Sequence, residues 1–231
     1  MWKGFPGFLR RNAQILVAVA IIVVGVCIML APWFRAWRFS YLQRRMMGAW
    51  QRGVSGEVVP DGGGGWSTAV AAISSAGPLD DIWEEDVDPG FDIAHLAGII
   101  DGVLTIDRIR LEVPIIGIYT QEYLNISICA VVESRAMGQP GNYVLSGHRS
   151  RIYGRHFNRL AELAPGDAIV VENREERFLY EVERVFFVAP SEVWVMEDDC
   201  DRRLITLITC DYRTDPAGRL IVRGELVEGL G

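Results

Sequence analysis

Leu204-Ile-Thr-Leu-Ile-Thr-Cys210 is apolar or β-branched at every position before the sulfur. Such a run reads as a strand, and it carries a thiol to the strand's end. About sixty residues upstream, Asn142-Tyr-Val-Leu-Ser146 is a second such run, closed by Gly147-His148. Nine residues beyond the thiol, Arg219-Leu-Ile-Val-Arg223 opens a third. Thiol, imidazole and guanidinium, each at a strand end, are the parts of a cysteine acyl-transfer site.

The surrounding texture is the same from about Gly98 onward. Gly102-Val-Leu-Thr-Ile106 and Ile109–Ile115 come first, then Ile126–Val132 and Tyr143–Ser146. Ala168–Glu172, Phe178–Val188, Leu204–Cys210 and Leu220–Val227 follow. About eight short strands with little helix between them suggest a closed barrel or a sandwich. His156–Leu163 breaks the pattern: its apolar positions 157, 160 and 163 follow helical spacing, and Pro165-Gly166-Asp167 stops it. There is no internal repeat.

The N-terminal part differs. Ile15 to Leu30 carries no charge, and about 20 apolar residues at 1.5 Å rise match a bilayer's hydrocarbon thickness. The run is longer than a signal-peptide core, and Trp33, Phe34 and Trp37 fit an interfacial belt. Lys3, Arg10 and Arg11 precede it and Arg35, Arg38, Arg44 and Arg45 follow, so charge alone does not assign an orientation. Gly62-Gly-Gly-Gly65 and the acidic run from Asp80 to Asp88, broken by Pro89-Gly90, read as a solvated tether. A short helix within Pro78–Leu96 is compatible with that reading. The expected organisation is a short segment at 1–12, a transmembrane helix at 13–34, a juxtamembrane segment and tether at 35–97, and a folded domain at 98–231.

The net charge is −7, with Lys3 the single lysine. An acidic chain without basic clusters argues against nucleic acid as a partner. The four cysteines, Cys27, Cys129, Cys200 and Cys210, form no CxxC and no zinc-like spacing. They do not resemble a disulfide framework either. Cys27 reads as an apolar residue of the span, Cys129 as part of a strand and Cys200 as part of an acidic turn. Glu197-Asp-Asp199 with Asp201 offers hard carboxylates of the kind calcium takes, but clustered carboxylates before a strand read as a solvated turn. No metal and no cofactor is predicted.

A cysteine is a strong nucleophile only as thiolate, so Cys210 needs a neighbour that stabilises that form or takes its proton. His148, at a strand end before a polar Arg-Ser-Arg, suits that role. His156 reads as a capping or surface residue, and His95 lies at the tether's edge. The oxyanion of a tetrahedral intermediate needs a donor. If Asp211–Gly218 is a hairpin turn, Arg219 lies near the thiol. Arg223 shares that face but sits roughly 13 Å further along at about 3.3 Å per residue, and Arg213 lies in the turn itself.

These residues resemble the sortase family, the membrane-anchored cysteine transpeptidases of Gram-positive bacteria. Thr206-Leu-Ile-Thr-Cys210 matches the family's TLxTC motif, Pro140–Arg149 its histidine segment, and Arg219–Arg223 its arginine strand. Gly102–Ile106 before Val113-Pro-Ile115, and Phe157-Asn-Arg-Leu160 with Gly166-Asp167, are further likenesses. Tyr153–Leu160 and the single N-terminal anchor look most like class D. The long acidic tether departs from the family pattern.

The resemblance implies a mainly β fold, an eight-stranded barrel with one or two short helices, preceded by a single transmembrane helix and facing the outside of the cell membrane. It implies Cys210 as nucleophile toward an LPxTG-like sorting signal, His148 as acid/base and Arg219 as oxyanion and substrate stabiliser. Thr209 would help bind substrate beside the thiol. The partners implied are exported proteins bearing the signal and an amine of cell-wall peptide, with no cofactor. Lacking lysine beyond Lys3, the exported domain offers no ε-amine for crosslinking, which favours catalyst over structural subunit.

Two other readings remain. One is a different cell-wall cysteine enzyme, although NlpC/P60-type peptidases place cysteine before histidine and L,D-transpeptidases need a Ser-His-Gly-Cys cluster. The other is a non-enzymatic, membrane-tethered β-barrel binding module in which Cys210 only packs.

Overall fold

Strands whose side chains alternate between two faces need a core on one of them, and eight strands here meet that need by closing on themselves. The computed structural model describes residues 5–52, 93–131, 136–150, 155–211 and 218–230. The strands are β1 (Ile100–Ile106), β2 (Leu111–Ile116), β3 (Ile128–Ala130), β4 (Gly141–Ser146), β5 (Ala168–Glu172), β6 (Arg177–Val188), β7 (Arg203–Asp211) and β8 (Gly218–Leu230). They close in the order β1-β2-β3-β4-β7-β8-β6-β5, with β1 pairing antiparallel to β5. Closure removes the unpaired edges that an open sheet would leave. Of the barrel and the sandwich, the barrel is the one formed.

The core lies inside. Leu104, Ile106, Val113, Ile115, Tyr143, Leu145, Ile169, Val171, Ile205, Leu207, Leu220 and Val222 belong to one buried cluster. The intervening residues of β4, β7 and β8 therefore face outward, yet Asn142, Val144, Thr206, Ile208 and Ile221 are also buried. The connection between β6 and β7 reaches this face at Asn142. Asn142 Nδ2 donates to the carbonyls of Val195 (3.0 Å) and Glu197 (3.1 Å), and Thr206 Oγ1 donates to Asn142 Oδ1 at 2.7 Å.

Two local expectations change. The strand expected at Ile126–Val132 is shorter, because residues Gln121–Ile126 form a helix whose N-cap Thr120 accepts from Tyr123 N at 3.1 Å. The helix expected at His156–Leu163 is instead a run of turns ending in a 3-10 turn at Leu160–Glu162. His156 has φ +47°, outside helical backbone. The stop at Pro165–Asp167 does form: Gly166 takes φ +92° and its N–H donates to Val182 O at 2.8 Å.

We label the helices α1 (Phe5–Gln51), α2 (Ile93–Gly98) and α3 (Gln121–Ile126). Residues 1–42 form one unit and 43–231 another. In the first, α1 carries the uncharged run, and Ile15, Val17, Ile21, Ile22, Ile28 and Met29 are all exposed. Among the described residues no helix is long and apolar enough to cross a membrane. In the second unit, Met46 and Ala49 are buried, and Gln43 Nε2 donates to Ile126 O. The Gly62–Gly65 and Asp80–Asp88 stretches of the tether lie outside the described residues.

Candidate active site

The site is assembled by register. Ser146 of β4 lies beside Ile208 of β7 in a parallel ladder, and Gly147 N continues it by donating to Ile208 O at 3.1 Å. Two residues past each partner stand His148 and Cys210, at the ends of neighbouring strands whose backbones run about 4.8 Å apart. On the other side of β7, Cys210 pairs with Arg219 of β8, which sets their Cβ atoms about 4.5–5.5 Å apart. Cys210 is thus flanked by His148 and Arg219, all three on the barrel's outer face. Cys210 is half-buried and unbridged, while His148 and Arg219 are buried.

The His148 segment is held at several points. Its carbonyl accepts from Phe157 N at 3.0 Å, and Asn158 Nδ2 donates to Ser150 O at 2.9 Å. Gly147 has a packing reason: a Cβ there would lie 2.7 Å from the Phe157 ring and 2.8 Å from Ile128 Cγ2. The ring's Nε2 lies 2.9 Å from Asn125 Oδ1 on α3. That oxygen only accepts, so the contact favours a proton on Nε2.

Arg219 Nη1 donates to Gly218 O at 3.1 Å, which turns the guanidinium toward the strand end. Arg223 shares the outer face but lies opposite Thr206. Its Nε donates to Thr206 Oγ1 at 3.3 Å and its Nη2 to Val195 O at 2.5 Å, and its guanidinium lies 5.8 Å from the Trp194 ring centre. Arg223 therefore secures the β6–β7 connection. Arg213 lies outside the described residues.

Thr209 differs from its expected place beside the substrate. Period-two alternation turns it to the opposite face from Cys210; it pairs with core residue Leu220, is 2% exposed, and its hydroxyl has no hydrogen-bond partner among the described residues.

His156 is buried, not at the surface, with its ring edge-on to His148 at 6.1 Å between centres. Burial, with Arg155 and His148 adding, holds its pKa well below the ordinary histidine value, so it stays neutral beside the reactive ring. His95 is exposed, and its Nε2 lies 3.0 Å from the Tyr123 hydroxyl.

Two neighbours were not singled out from sequence. Asn125 falls where a strand was expected to begin; the signal for its helix was Thr120 as N-cap. Tyr119, just past β2, has a phenol pushed well above its ordinary pKa by burial, with Cys129 and Cys210 adding and Arg219 opposing. A neutral O–H therefore shares the surroundings of Cys210 and Arg219. Cys129 is fully buried, and burial pushes its thiol up, as suits a packing residue.

The carboxylates of the acidic turn before β7 bind backbone N–H groups: Asp198 Oδ1 accepts from Asn142 N of β4 and Asp199 Oδ1 from Asp201 N within the turn, each at 3.3 Å. Among the described residues no group of three or more His, Cys, Asp or Glu side chains is arranged to hold a metal ion.

A half-buried thiol between an imidazole and a guanidinium, on the covered outer face of a closed β-barrel, is the layout of a cysteine acyl-transfer enzyme. Residues 104–227, more than half of the chain, match the Sortase domain. The chain belongs to the sortase family of cysteine transpeptidases. It is 35% identical over 126 residues to Sortase A of Bacillus anthracis, covering 54% of this chain and 59% of that protein. It is also 35% identical over 95 residues to the putative sortase YwpE of Bacillus subtilis, covering 41% of this chain and 91% of that one. Among solved structures, a Clostridium perfringens Sortase D5 transpeptidase is similar at 28% identity and TM-score 0.51, covering 57% of this chain and 81% of that chain. Listeria monocytogenes sortase A is similar at 25% identity and TM-score 0.54, covering 57% and 90%.

Proposed function

We propose that this chain is a membrane-anchored sortase that cleaves an LPxTG-like signal and transfers the acyl group to an amine of cell-wall peptide. The observation that carries this reading is the lateral order His148, Cys210, Arg219 across three adjacent strand ends. The Cys210 thiolate adds to the threonine carbonyl carbon of the signal, and Arg219 donates to the oxyanion. Collapse breaks the C–N bond, and the His148 imidazolium gives its proton to the departing amine. The thioester is then attacked by the acceptor amine, which loses a proton to His148 as Cys210 leaves as thiolate. Protein side chains supply every step.

Class D is supported by the Tyr153–Leu160 segment and by the likeness to the C. perfringens Sortase D5. The anchor is supported by the uncharged Ile15–Leu30 run within α1, whose described apolar side chains are exposed. An apolar surface around a whole helix calls for lipid or a partner. Exported substrates require the barrel outside the cell membrane.

The test is to incubate the full chain with an LPxTG-like peptide and seek the acyl-enzyme by mass spectrometry. A hydroxylamine-sensitive adduct on Cys210, absent in Cys210→Ala, is expected. No adduct across a library of sorting-signal peptides, with function surviving in Cys210→Ala, would return the chain to a binding role.

A further inference from the structure

His148 and Cys210 are each followed at once by a charged residue, and the two pair with one another. Arg149 Nη1 donates to Asp211 Oδ1 at 2.5 Å. The ladder that leads from Ser146 and Ile208 to His148 and Cys210 sets Arg149 and Asp211 one step further. Alternation points this pair away from the face that holds the reactive groups. Asp211 is 3% exposed, and Gly218, its partner from β8, brings no side chain against it.

We propose that Arg149 and Asp211 are positioning residues: their ion pair ties the strand end carrying the imidazole to the one carrying the thiol. The proposal rests on the reading of Cys210 and His148 as the reactive pair. A charge-assisted bond with one buried partner is short and directional. It acts one residue from both reacting groups, where a shift of an ångström is enough to lose proton transfer. The strand β4 ends at Ser146 and Gly147 N adds one more bond, to Ile208 O, so the ion pair adds a side-chain tie one residue beyond the reactive groups. A pair turned away from the substrate face acts on the chemical step and leaves substrate affinity alone.

The test uses the full-length protein with D211N, R149Q, the swap R149D/D211R, and H148A as control. The rate of Cys210 alkylation by iodoacetamide is followed against pH by peptide mapping, which separates Cys210 from the other thiols. Peptide cleavage is followed in parallel. Expected in folded D211N and R149Q is a loss of at least tenfold in alkylation rate at pH 7 and in kcat, with KM within about twofold. The alkylation–pH profile shifts from that of the wild type in both, and the swap recovers part of the loss. Wild-type rates and profile in either folded single variant, or a swap no better than the singles, overturn the proposal; if D211N does not fold, R149Q decides. Should H148A itself leave Cys210 alkylation unchanged, the reactive-pair reading fails instead.

Discussion

Cys210 and Arg219 face each other across the antiparallel β7–β8 ladder, so the guanidinium that meets a developing oxyanion is selected by register. Arg223, four residues on and on the same face, is engaged with Thr206 and the Val195 carbonyl. One strand thus carries two buried arginines with different work.

Arg219→Ala is expected to lower kcat/KM by about 10²–10³, the usual effect of removing an oxyanion donor, roughly 2.7–4 kcal/mol in the barrier. Arg223→Ala acts on stability, because it leaves buried acceptors without a donor at about 1–3 kcal/mol. It lowers Tm and reaches turnover mainly through KM. Peptide-cleavage kinetics beside calorimetry separate the two; comparable losses in kcat would show that the arginine assignment is wrong.

Asn125 orients the His148 ring through Nε2. Asn125→Ala should cut kcat/KM by about tenfold, within the range general acid–base groups contribute. Asn125→Asp sets a carboxylate at that contact, which favours imidazolium. The limb of the pH–rate profile that reports loss of the imidazolium proton then moves to higher pH, since the ring stays charged as pH rises. An unmoved limb in Asn125→Asp would mean the contact does not govern protonation.

His156 is neutral in the folded protein because its pKa is depressed by burial, Arg155 and His148. A group with a lowered folded pKa contributes stability above its unfolded value, near 6.5, and loses it as pH falls below that. The slope is about 1.4 kcal/mol per pH unit for one proton. His156→Asn tolerates the left-handed backbone and removes the titration. Denaturant unfolding from pH 7 to 4.5 should show a shallower decline for the variant; parallel declines would refute the assignment.

The Thr209 hydroxyl is buried without a hydrogen-bond partner among the described residues. Replacing it by a methyl group in Thr209→Val should leave stability unchanged or raise it by about 1 kcal/mol. Turnover should stay within about twofold. A large rise in KM would instead place the hydroxyl against substrate.

Local chemistry in the chain was enough for the parts. Period-two runs of β-branched residues announced all eight strands, Pro165-Gly166-Asp167 announced its turn, and three strands announced a thiol, an imidazole and a guanidinium at their ends. Such signals are legible because side-chain alternation and turn geometry depend on near neighbours. What stands beside what was decided by long-range pairing. That β4 lies parallel to β7 sets His148 next to Cys210; that Thr120 caps a helix swings Asn125 to the imidazole. Phe157 closing over Gly147 draws His156 into the interior, and one register step separates the face of Cys210 from that of Thr209. Hydrogen bonds between strands sixty residues apart leave no period in the local sequence, so these neighbours appear only when the barrel closes.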